Sequence, residues 1–405
     1  MSRCIVSLGL FLAAATLLIA QDEIRRGKVK AIDAEKKTIT ITVDGKDETL
    51  SFTGDTRVMG PDGKAVAKPY EDKAFAPGSA VMFKGATKDG SRVLVGLKAG
   101  GEVQKQPAIV KPDTSKLKPL PALGTEKYQG FEGGLYPGGK NERPKEHDAA
   151  GLVLAKSIVP LGADGKPANG GKIVLLSVGM SNTTQAFSTF KRIADADKEK
   201  NPDVLLVDGA QGGMTAARIK DTTSSQFWTV VDQRLKTAGA TREQVQVAWI
   251  KQADAGPSSG FPKYAQTLRD ELLQIVQLMH ERFPNLKIVY LSSRTYGGYA
   301  TTPLNPDPYA YESGFSVKWL IEEQIKSEKE LNFDPKNGAV KSPWLAWGPY
   351  LWANGTAKNA DGLFYEVSDF GSDGTHPSPA GQRKVAVQLL TFFKTDSTTK
   401  GWFVK

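Results

Sequence analysis

The chain has 405 residues, of which 40% are hydrophobic and 24% charged, so it can form globular cores in two or three domains. Its 53 Lys and Arg residues exceed its 44 Asp and Glu residues by 9, but the cations are spread along the chain without a basic block. Aromatic residues are not interleaved with these cations, so the composition argues against a nucleic-acid-binding protein.

Residues 1–20 have the pattern of a secretory signal peptide. Arg3 gives a positive start, residues 5–19 are mostly apolar, and Ala20 precedes a cleavage point. The apolar stretch is short for a membrane span, so we expect no stable span in the mature protein. Cys4, the only cysteine, lies in the same segment, so a secreted or periplasmic mature chain would have no disulfide and no cysteine-based metal site.

Residues 22–98 alternate between apolar and polar side chains, which is typical of strands with one buried face. Residues 38–43 read Thr-Ile-Thr-Ile-Thr-Val, and the Asp-Gly pair at 44–45 predicts a hairpin turn before residues 49–52. Five or six short strands of this kind predict a small antiparallel β-barrel domain. We expect this domain to have a structural or adhesive role.

Residues 99–124 are rich in Lys, Pro and Gly, which predicts an extended linker. A second domain is then expected over residues 125–405. It begins with an irregular stretch, dense in Gly and aromatic residues, that contains His147. This stretch is either a coil around the domain or part of a substrate cleft, so a functional role for His147 stays open.

The second domain alternates apolar runs with helical patterns. The runs at 172–178, 204–208, 245–251 and 286–292 are apolar on both faces, as buried parallel strands are. Repeated strand–helix units predict a parallel sheet that is covered by helices on both faces. From residue 295 to 370 this pattern breaks, and we expect an insertion whose tryptophans serve either packing or sugar stacking.

Ser181 follows the first of these strands, where Gly179 ends the apolar run and a helical pattern begins. A residue at this turn lies at the carboxyl edge of the sheet, where open α/β folds bind ligands. Its N–H also belongs to a helix N-terminus, which can hold a developing negative charge. Ser181 is therefore either a nucleophile or a simple helix cap.

Asp373 and His376 lie three residues apart, directly before a helix that is expected to begin near Pro379. The carboxylate can orient the imidazole while the ring faces a third group, which is what a serine nucleophile needs. The chain has three histidines, and His376 is the one that lies in a loop directly before a predicted helix, with an acid three residues before it. His280 belongs to an amphipathic helix and is expected at its surface.

The motifs Gly-Met-Ser181-Asn and Asp373-Gly-Thr-His376 resemble the first and last signature blocks of the SGNH (GDSL-type) hydrolases. Gly-Gly213-Met-Thr follows the second strand, where that family keeps an oxyanion-hole glycine. Trp-Ile-Lys-Gln252 ends the third strand. Many members of the family have Gly-x-Asn-Asp at this position, whereas this chain has no asparagine there. The sequence is here similar to carbohydrate O-acetyl esterases related to sialic-acid acetylesterase, whose third block reads Trp-x-Gln-Gly-Glu.

This resemblance implies a flavodoxin-like, three-layer α/β/α domain with a parallel sheet. It implies that Ser181 is the nucleophile, His376 the base and Asp373 the residue that orients the base. The oxyanion hole would consist of the N–H groups of Ser181 and Gly213 and the side-chain amide of Gln252. No cofactor and no metal are implied.

The expected function is a secreted serine esterase that removes O-acyl groups, O-acetyl above all, from carbohydrates. Two alternatives stay open: a non-catalytic polysaccharide-binding protein on a degenerate hydrolase scaffold, and a lipase or lysophospholipase of the same superfamily. The sequence shows no apolar lid helix, which counts against the lipase.

Overall fold

The protein is described from a computed structural model. The chain divides into two compact units, residues 1–108 and 109–405. In the described part of the chain, no helix has the length and apolar character needed to cross a membrane. The predicted signal peptide lies outside the described residues, which are 25–43, 45–61, 64–88, 91–100, 114, 116–221 and 226–405.

The first unit is a closed barrel with the strand order β1-β2-β3-β5-β4. Its inward side chains, such as Ile39 and Ile41, are fully buried, while the threonines between them face outward. The predicted barrel is thus confirmed, but β3 and β5 pair in parallel, so the barrel is not wholly antiparallel. Its strands are β1 Arg25–Asp33, β2 Thr38–Val43, β3 Lys46–Met59, β4 Ala80–Lys88 and β5 Ser91–Ala99.

The second unit contains a five-stranded sheet and the helices around it. In chain order its elements are α1 Leu120–Leu123, β6 Lys127–Tyr128, β7 Phe131–Glu132, α2 Lys145–Lys156, β8 Ile173–Gly179, α3 Ser181–Asp195, β9 Val204–Asp208, α4 Ala216–Ile219, α5 Phe227–Thr237, β10 Val245–Lys251, α6 Lys263–Arg282, β11 Ile288–Ser292, α7 Tyr309–Ile325, β12 Trp344–Trp347, α8 Pro379–Thr395 and α9 Lys400–Phe403.

All neighbours in the large sheet pair in parallel, in the order β12-β11-β10-β8-β9. Counted along the chain this is the order 2-1-3-4-5, which is that of the flavodoxin-like fold. The chain leaves β8 for β9 on one side and returns to β10 on the other. The carboxyl end of β8 is therefore the topological switch point of the sheet, the place where such folds bind ligands.

The packing of the sheet follows from its apolar strands. All seven residues of β8 and all seven of β10 are buried. Trp249 in β10 stacks on Phe187 of α3, with ring centroids 6.0 Å apart, and Tyr290 in β11 contacts Phe393 of α8. Helices α3 and α8 thus cover the same face of the sheet.

The stretch that was predicted as an insertion, 295–370, contains a helix and the fifth strand of the sheet. Strand β12 is only four residues long, Trp-Leu-Ala-Trp, and all four residues are buried. Trp344, Trp347 and Trp352 are all at most 2% exposed. These tryptophans are therefore packing residues, and none of them is available to stack on a sugar.

The stretch that was predicted as a linker, 99–124, is partly folded onto the α/β unit. Asn354 donates hydrogen bonds to the carbonyl oxygens of Thr114 and Leu117, at 2.7 and 3.0 Å. Leu120 is fully buried, and its N–H donates to the Tyr350 hydroxyl at 3.1 Å. The α/β unit thus begins before residue 125.

Candidate active site

Ser181 is the first residue of α3 and lies two residues beyond the end of β8. The turn is tight: a Cβ on Gly179 would collide with the Thr183 side chain and with the Lys251 carbonyl oxygen, so only glycine fits. Among the described residues, no acceptor binds the N–H of Ser181. The local sequence therefore presents a half-buried hydroxyl beside a free backbone donor.

The loop before α8 places His376 against this hydroxyl. The Ser181 Oγ lies 2.7 Å from Nε2 of His376, and Nδ1 of His376 lies 2.5 Å from Oδ2 of Asp373. The other oxygen of Asp373, Oδ1, accepts the backbone N–H groups of Thr375 and His376, each at 2.9 Å. The structure therefore brings together the three residues that the sequence predicted as a triad.

The charge of Asp373 is set by two opposing effects. Burial raises its pKa, but hydrogen bonds from the His376 ring and from the His376 and Thr375 backbone outweigh burial and lower the pKa to about 2. The carboxylate is thus ionised at neutral pH and holds the proton of His376 on Nδ1. This leaves Nε2 free to accept the hydroxyl proton of Ser181.

Two contacts fix the histidine loop to the rest of the site. The Asn182 amide donates to the Thr375 carbonyl oxygen at 2.8 Å, and the Thr301 N–H donates to that of Asp373 at 2.9 Å. A Cβ on Gly374 would collide with the Tyr299 carbonyl, so the two loops approach as closely as backbones can. Sequence reasoning did not assign a role to Asn182, although its position after Ser181 was part of the quoted motif.

The loop after β9 lies beside Ser181. A Cβ on Gly212 would lie 3.8 Å from the Ser181 Cβ, and Gly213 has a φ of +75°, which favours glycine. The Gly213 carbonyl oxygen accepts from Arg218 at 3.0 Å. In the described part of the chain the Gly213 N–H has no acceptor, so it is free to bind an oxyanion.

Gln252 is buried behind this loop. Its amide nitrogen donates to the Met214 carbonyl oxygen at 2.9 Å, and its amide oxygen accepts the Ala253 N–H at 3.0 Å. One of the two amide hydrogens is thus used to hold the loop that carries Gly213. The role of Gln252 as a direct oxyanion donor stays a prediction that depends on the second hydrogen.

His147 lies in α2 and is only 6% exposed. Its Nε2 lies 2.8 Å from the Leu345 carbonyl oxygen, and its ring stacks on Trp344 with centroids 4.9 Å apart. Burial lowers its pKa to about 4. His147 is therefore a neutral packing residue.

The part of the chain that the structure describes contains no group of three His, Cys, Asp or Glu residues placed to hold a metal ion. A reaction at this site can be written with the side chains and backbone N–H groups already named. The arrangement has the parts that acyl transfer needs: a nucleophile, a base, a residue that orients the base, and free donors beside the nucleophile.

No family model and no curated protein matches the chain. Among solved structures it is similar to the periplasmic domain of a lipopolysaccharide acetyltransferase from Salmonella ser. Paratyphi A, at 13% identity over 61% of this chain and 94% of that one, with a TM-score of 0.32. It is also similar to LAE5, an α/β hydrolase from the metagenome of Lake Arreo, at 13% identity over 56% and 95% of the chains, with a TM-score of 0.32.

A third likeness is to apo-CusF of Escherichia coli, at 21% identity over 22% of this chain and 95% of that one, with a TM-score of 0.17. At such identities and TM-scores these likenesses carry no argument about activity.

Proposed function

We propose that this protein is a serine hydrolase that cleaves carboxylic ester bonds. The observation that carries the proposal is the continuous hydrogen-bonded line from Ser181 through His376 to Asp373, with contacts of 2.7 and 2.5 Å. The line lies at the carboxyl end of β8, where the strand order of the sheet reverses.

In the proposed reaction, the Ser181 Oγ attacks the ester carbonyl carbon while its proton passes to Nε2 of His376. The tetrahedral intermediate collapses when Nε2 returns that proton to the leaving alkoxide, which gives an alcohol and an acyl-serine. Water then attacks the acyl group with His376 again as the base. The acid is released and Ser181 regains its proton.

The negative charge on the carbonyl oxygen needs donors that are fixed before the reaction begins. The N–H groups of Ser181 and Gly213 are free for this purpose among the described residues. Gln252 supports them by binding the Met214 carbonyl in the same loop as Gly213. We propose that its second amide hydrogen completes the oxyanion hole.

For the substrate we propose an O-acylated carbohydrate, with an acetyl group as the acyl part. This is supported by the Trp249-Ile-Lys-Gln252 motif, which resembles the third block of carbohydrate O-acetyl esterases. Secretion or export to the periplasm, which residues 1–20 predict, would bring the enzyme to such substrates.

The test is hydrolysis of 4-nitrophenyl acetate with and without a serine-directed phosphonate. We expect the phosphonate to abolish turnover and to add its mass to the peptide that contains Ser181. A Ser181→Ala variant should be inactive and unlabelled. Labelling at another serine, or turnover by the variant, would show that Ser181 is not the nucleophile, and a folded wild-type protein without any turnover would favour the polysaccharide-binding alternative.

We also propose that the β-barrel is not needed for the chemistry, because every contact of the triad described above lies within residues 109–405. A fragment of residues 109–405 should hydrolyse 4-nitrophenyl acetate as the full chain does. A fragment of residues 125–405 should be less stable to heat, because it lacks the buried Leu120 and the bonds of Asn354 to Thr114 and Leu117. An inactive but folded 109–405 fragment would contradict this proposal.

A further inference from the structure

Two buried basic side chains lie at the carboxyl edge of the sheet, and neither has an acidic partner among the described residues. Lys251 is the last residue of β10 and is 1% exposed, and Arg294 follows the end of β11 by two residues and is 3% exposed. No hydrogen bond or ion pair from Lys251 Nζ is found among the described residues. Arg294 donates from Nε to Asn305 at 3.1 Å, but its Nη1 is buried without an acceptor.

Burying a cation without a counterion costs several kcal/mol, so such a group usually has an anionic partner. Lys318 in α7 shows the usual arrangement: it is 2% exposed, and its Nζ binds Glu322 and the Tyr136 carbonyl oxygen. Lys251 and Arg294 depart from this arrangement together. Among the described residues, neither has an acidic side chain within ion-pair distance.

The electrostatics agree with this geometry. Burial, and then the charge of Arg294, holds the pKa of Lys251 well below its usual range. Burial also lowers the pKa of Arg294 to about 10. Each group is therefore poised to gain from an anion, because an anion would favour the charged form of both.

The two cations are close to the triad along the backbone. Lys251 pairs with Gly179 in β8, and its carbonyl oxygen accepts the Thr183 hydroxyl at 2.6 Å, within the first turn of the helix that begins at Ser181. Arg294 begins the segment that reaches Asp373 through the N–H of Thr301. Both side chains therefore belong to residues at the edge of the sheet that carries the triad.

The loops that follow β10 and β11 contact each other. The Gly256 N–H donates to the Leu304 carbonyl oxygen at 3.0 Å, and the Asn305 amide donates to the Asp254 carbonyl oxygen at 3.2 Å. Gly256 and Leu304 are both exposed.

We propose that Lys251 and Arg294 bind a negatively charged substituent, a carboxylate or a sulfate, on the substrate of this enzyme. This inference rests on the proposed function, because it concerns the substrate of the proposed esterase. It narrows that substrate to esters of acidic rather than neutral carbohydrates. A carboxylate or a sulfate suits this pair because the planar guanidinium of Arg294 donates N–H groups in fixed directions. The protonated amine of Lys251 would add a second positive charge.

The kinetic test compares mono-O-acetyl glucuronic acid, mono-O-acetyl glucose and mono-O-acetyl glucose 6-sulfate as substrates. The wild type should have a higher kcat/KM for one or both charged esters, and the preferred one identifies the substituent. Lys251→Met and Arg294→Gln should each reduce the preference at least about tenfold, mainly through KM. Lys318→Met is the matched control and should leave the preference unchanged; equal kcat/KM values for the three esters would overturn the proposal.

Thermal stability separates binding from a structural role. Lys251→Met should raise the Tm, because it replaces a buried amine that has no hydrogen-bond partner among the described residues with an apolar side chain of similar length. Lys318→Met should lower the Tm, because it leaves Glu322 without its partner. A lower Tm for Lys251→Met together with an unchanged substrate preference would show that Lys251 only supports the fold.

A binding measurement keeps this inference separate from the esterase proposal. Titration calorimetry of the Ser181→Ala protein with glucuronate and with glucose does not depend on catalysis. Glucuronate should bind more tightly and with net proton uptake, measured in buffers of different ionisation heat, because the anion raises the pKa of Lys251. If the wild type has no esterase activity but glucuronate still binds more tightly than glucose, only the esterase proposal is wrong. If glucose and glucuronate bind equally, the proposed anion site is wrong.

Discussion

His376 and His147 belong to the same α/β unit but have opposite surroundings. The His376 side chain is 31% exposed and lies between a hydroxyl and a carboxylate, at the edge where the strands end. The ring of His147 is buried against Trp344 and contacts a backbone carbonyl. One histidine faces groups that can exchange a proton, and the other faces groups that cannot.

The difference teaches where chemistry can be placed in this fold. Behind the edge of the sheet, side chains pack from every direction, and burial lowers the pKa of His147 to about 4. At the edge, the loop before α8 supplies two backbone N–H groups, those of Thr375 and His376, that bind Asp373. A histidine can therefore be both oriented and accessible only at the edge.

The largest expected effect comes from His376→Ala. Removing the base should lower kcat for 4-nitrophenyl acetate on the order of 10⁶-fold, since Ser181 and His376 act as one unit. The double variant Ser181→Ala/His376→Ala should be little worse than either single variant. If the two losses multiply instead, the two residues do not share a step and the triad assignment is wrong.

Asp373→Asn should have the next largest effect, about 10⁴-fold on kcat. An Asn oxygen can still accept the backbone N–H groups of Thr375 and His376, so the loop should keep its shape. Its NH₂ group would face Nδ1 of His376 and favour the tautomer with the proton on Nε2, which cannot accept the Ser181 proton. Unchanged kcat with an unchanged Tm would exclude an orienting role for Asp373.

Gln252→Ala tests whether a residue that follows the third strand, β10, takes part in the reaction. If its second amide hydrogen binds the oxyanion, kcat should fall about 10²–10³-fold while KM changes little. Gln252→Glu should be worse, since a carboxylate would repel the oxyanion. If both variants keep kcat within a few-fold of the wild type and only lower the Tm, the bond to Met214 is the whole role of Gln252.

Much of this edge could be predicted from the sequence, for a physical reason. Parallel strands that are buried on both faces must be continuous apolar runs, so β8, β9 and β10 were located to within a residue. The residues that follow such strands must lie at one edge. This placed Ser181 at that edge. His376 lies 195 positions away and was assigned to the same site from its neighbouring acid, its loop setting and the resemblance of both motifs to SGNH hydrolase blocks.

What the sequence did not predict depends on neighbours that are distant along the chain. Strand β12 is too short to show a period, and its burial comes from β11 and α7. The composition of residues 99–124 concealed Leu117 and Leu120, which attach that segment to the α/β unit. That Lys251 has no partner among the described residues is a property of its folded surroundings, so no sequence motif could show it.

The smallest effect on activity is expected from His147→Leu, which should leave kcat/KM unchanged but lower the stability at neutral pH. The variant removes the partner of the Leu345 carbonyl oxygen, and leaving a buried acceptor unsatisfied costs about 1–3 kcal/mol. Urea unfolding at pH 7 should detect this loss. Reduced kcat with unchanged stability would instead make His147 part of the site.

The pH dependence of the same pair of proteins gives the final test of the comparison. His147 has a folded-state pKa of about 4, below the roughly 6.5 of an unfolded chain, so between these values the unfolded state binds more protons. The wild type should therefore lose about 3 kcal/mol of unfolding free energy through His147 as the pH falls from 7 to below 4. His147→Leu lacks this loss, so its deficit relative to the wild type should shrink on acidification. A constant deficit from pH 7 to pH 4 would mean that His147 titrates normally and is not the buried, neutral counterpart of His376.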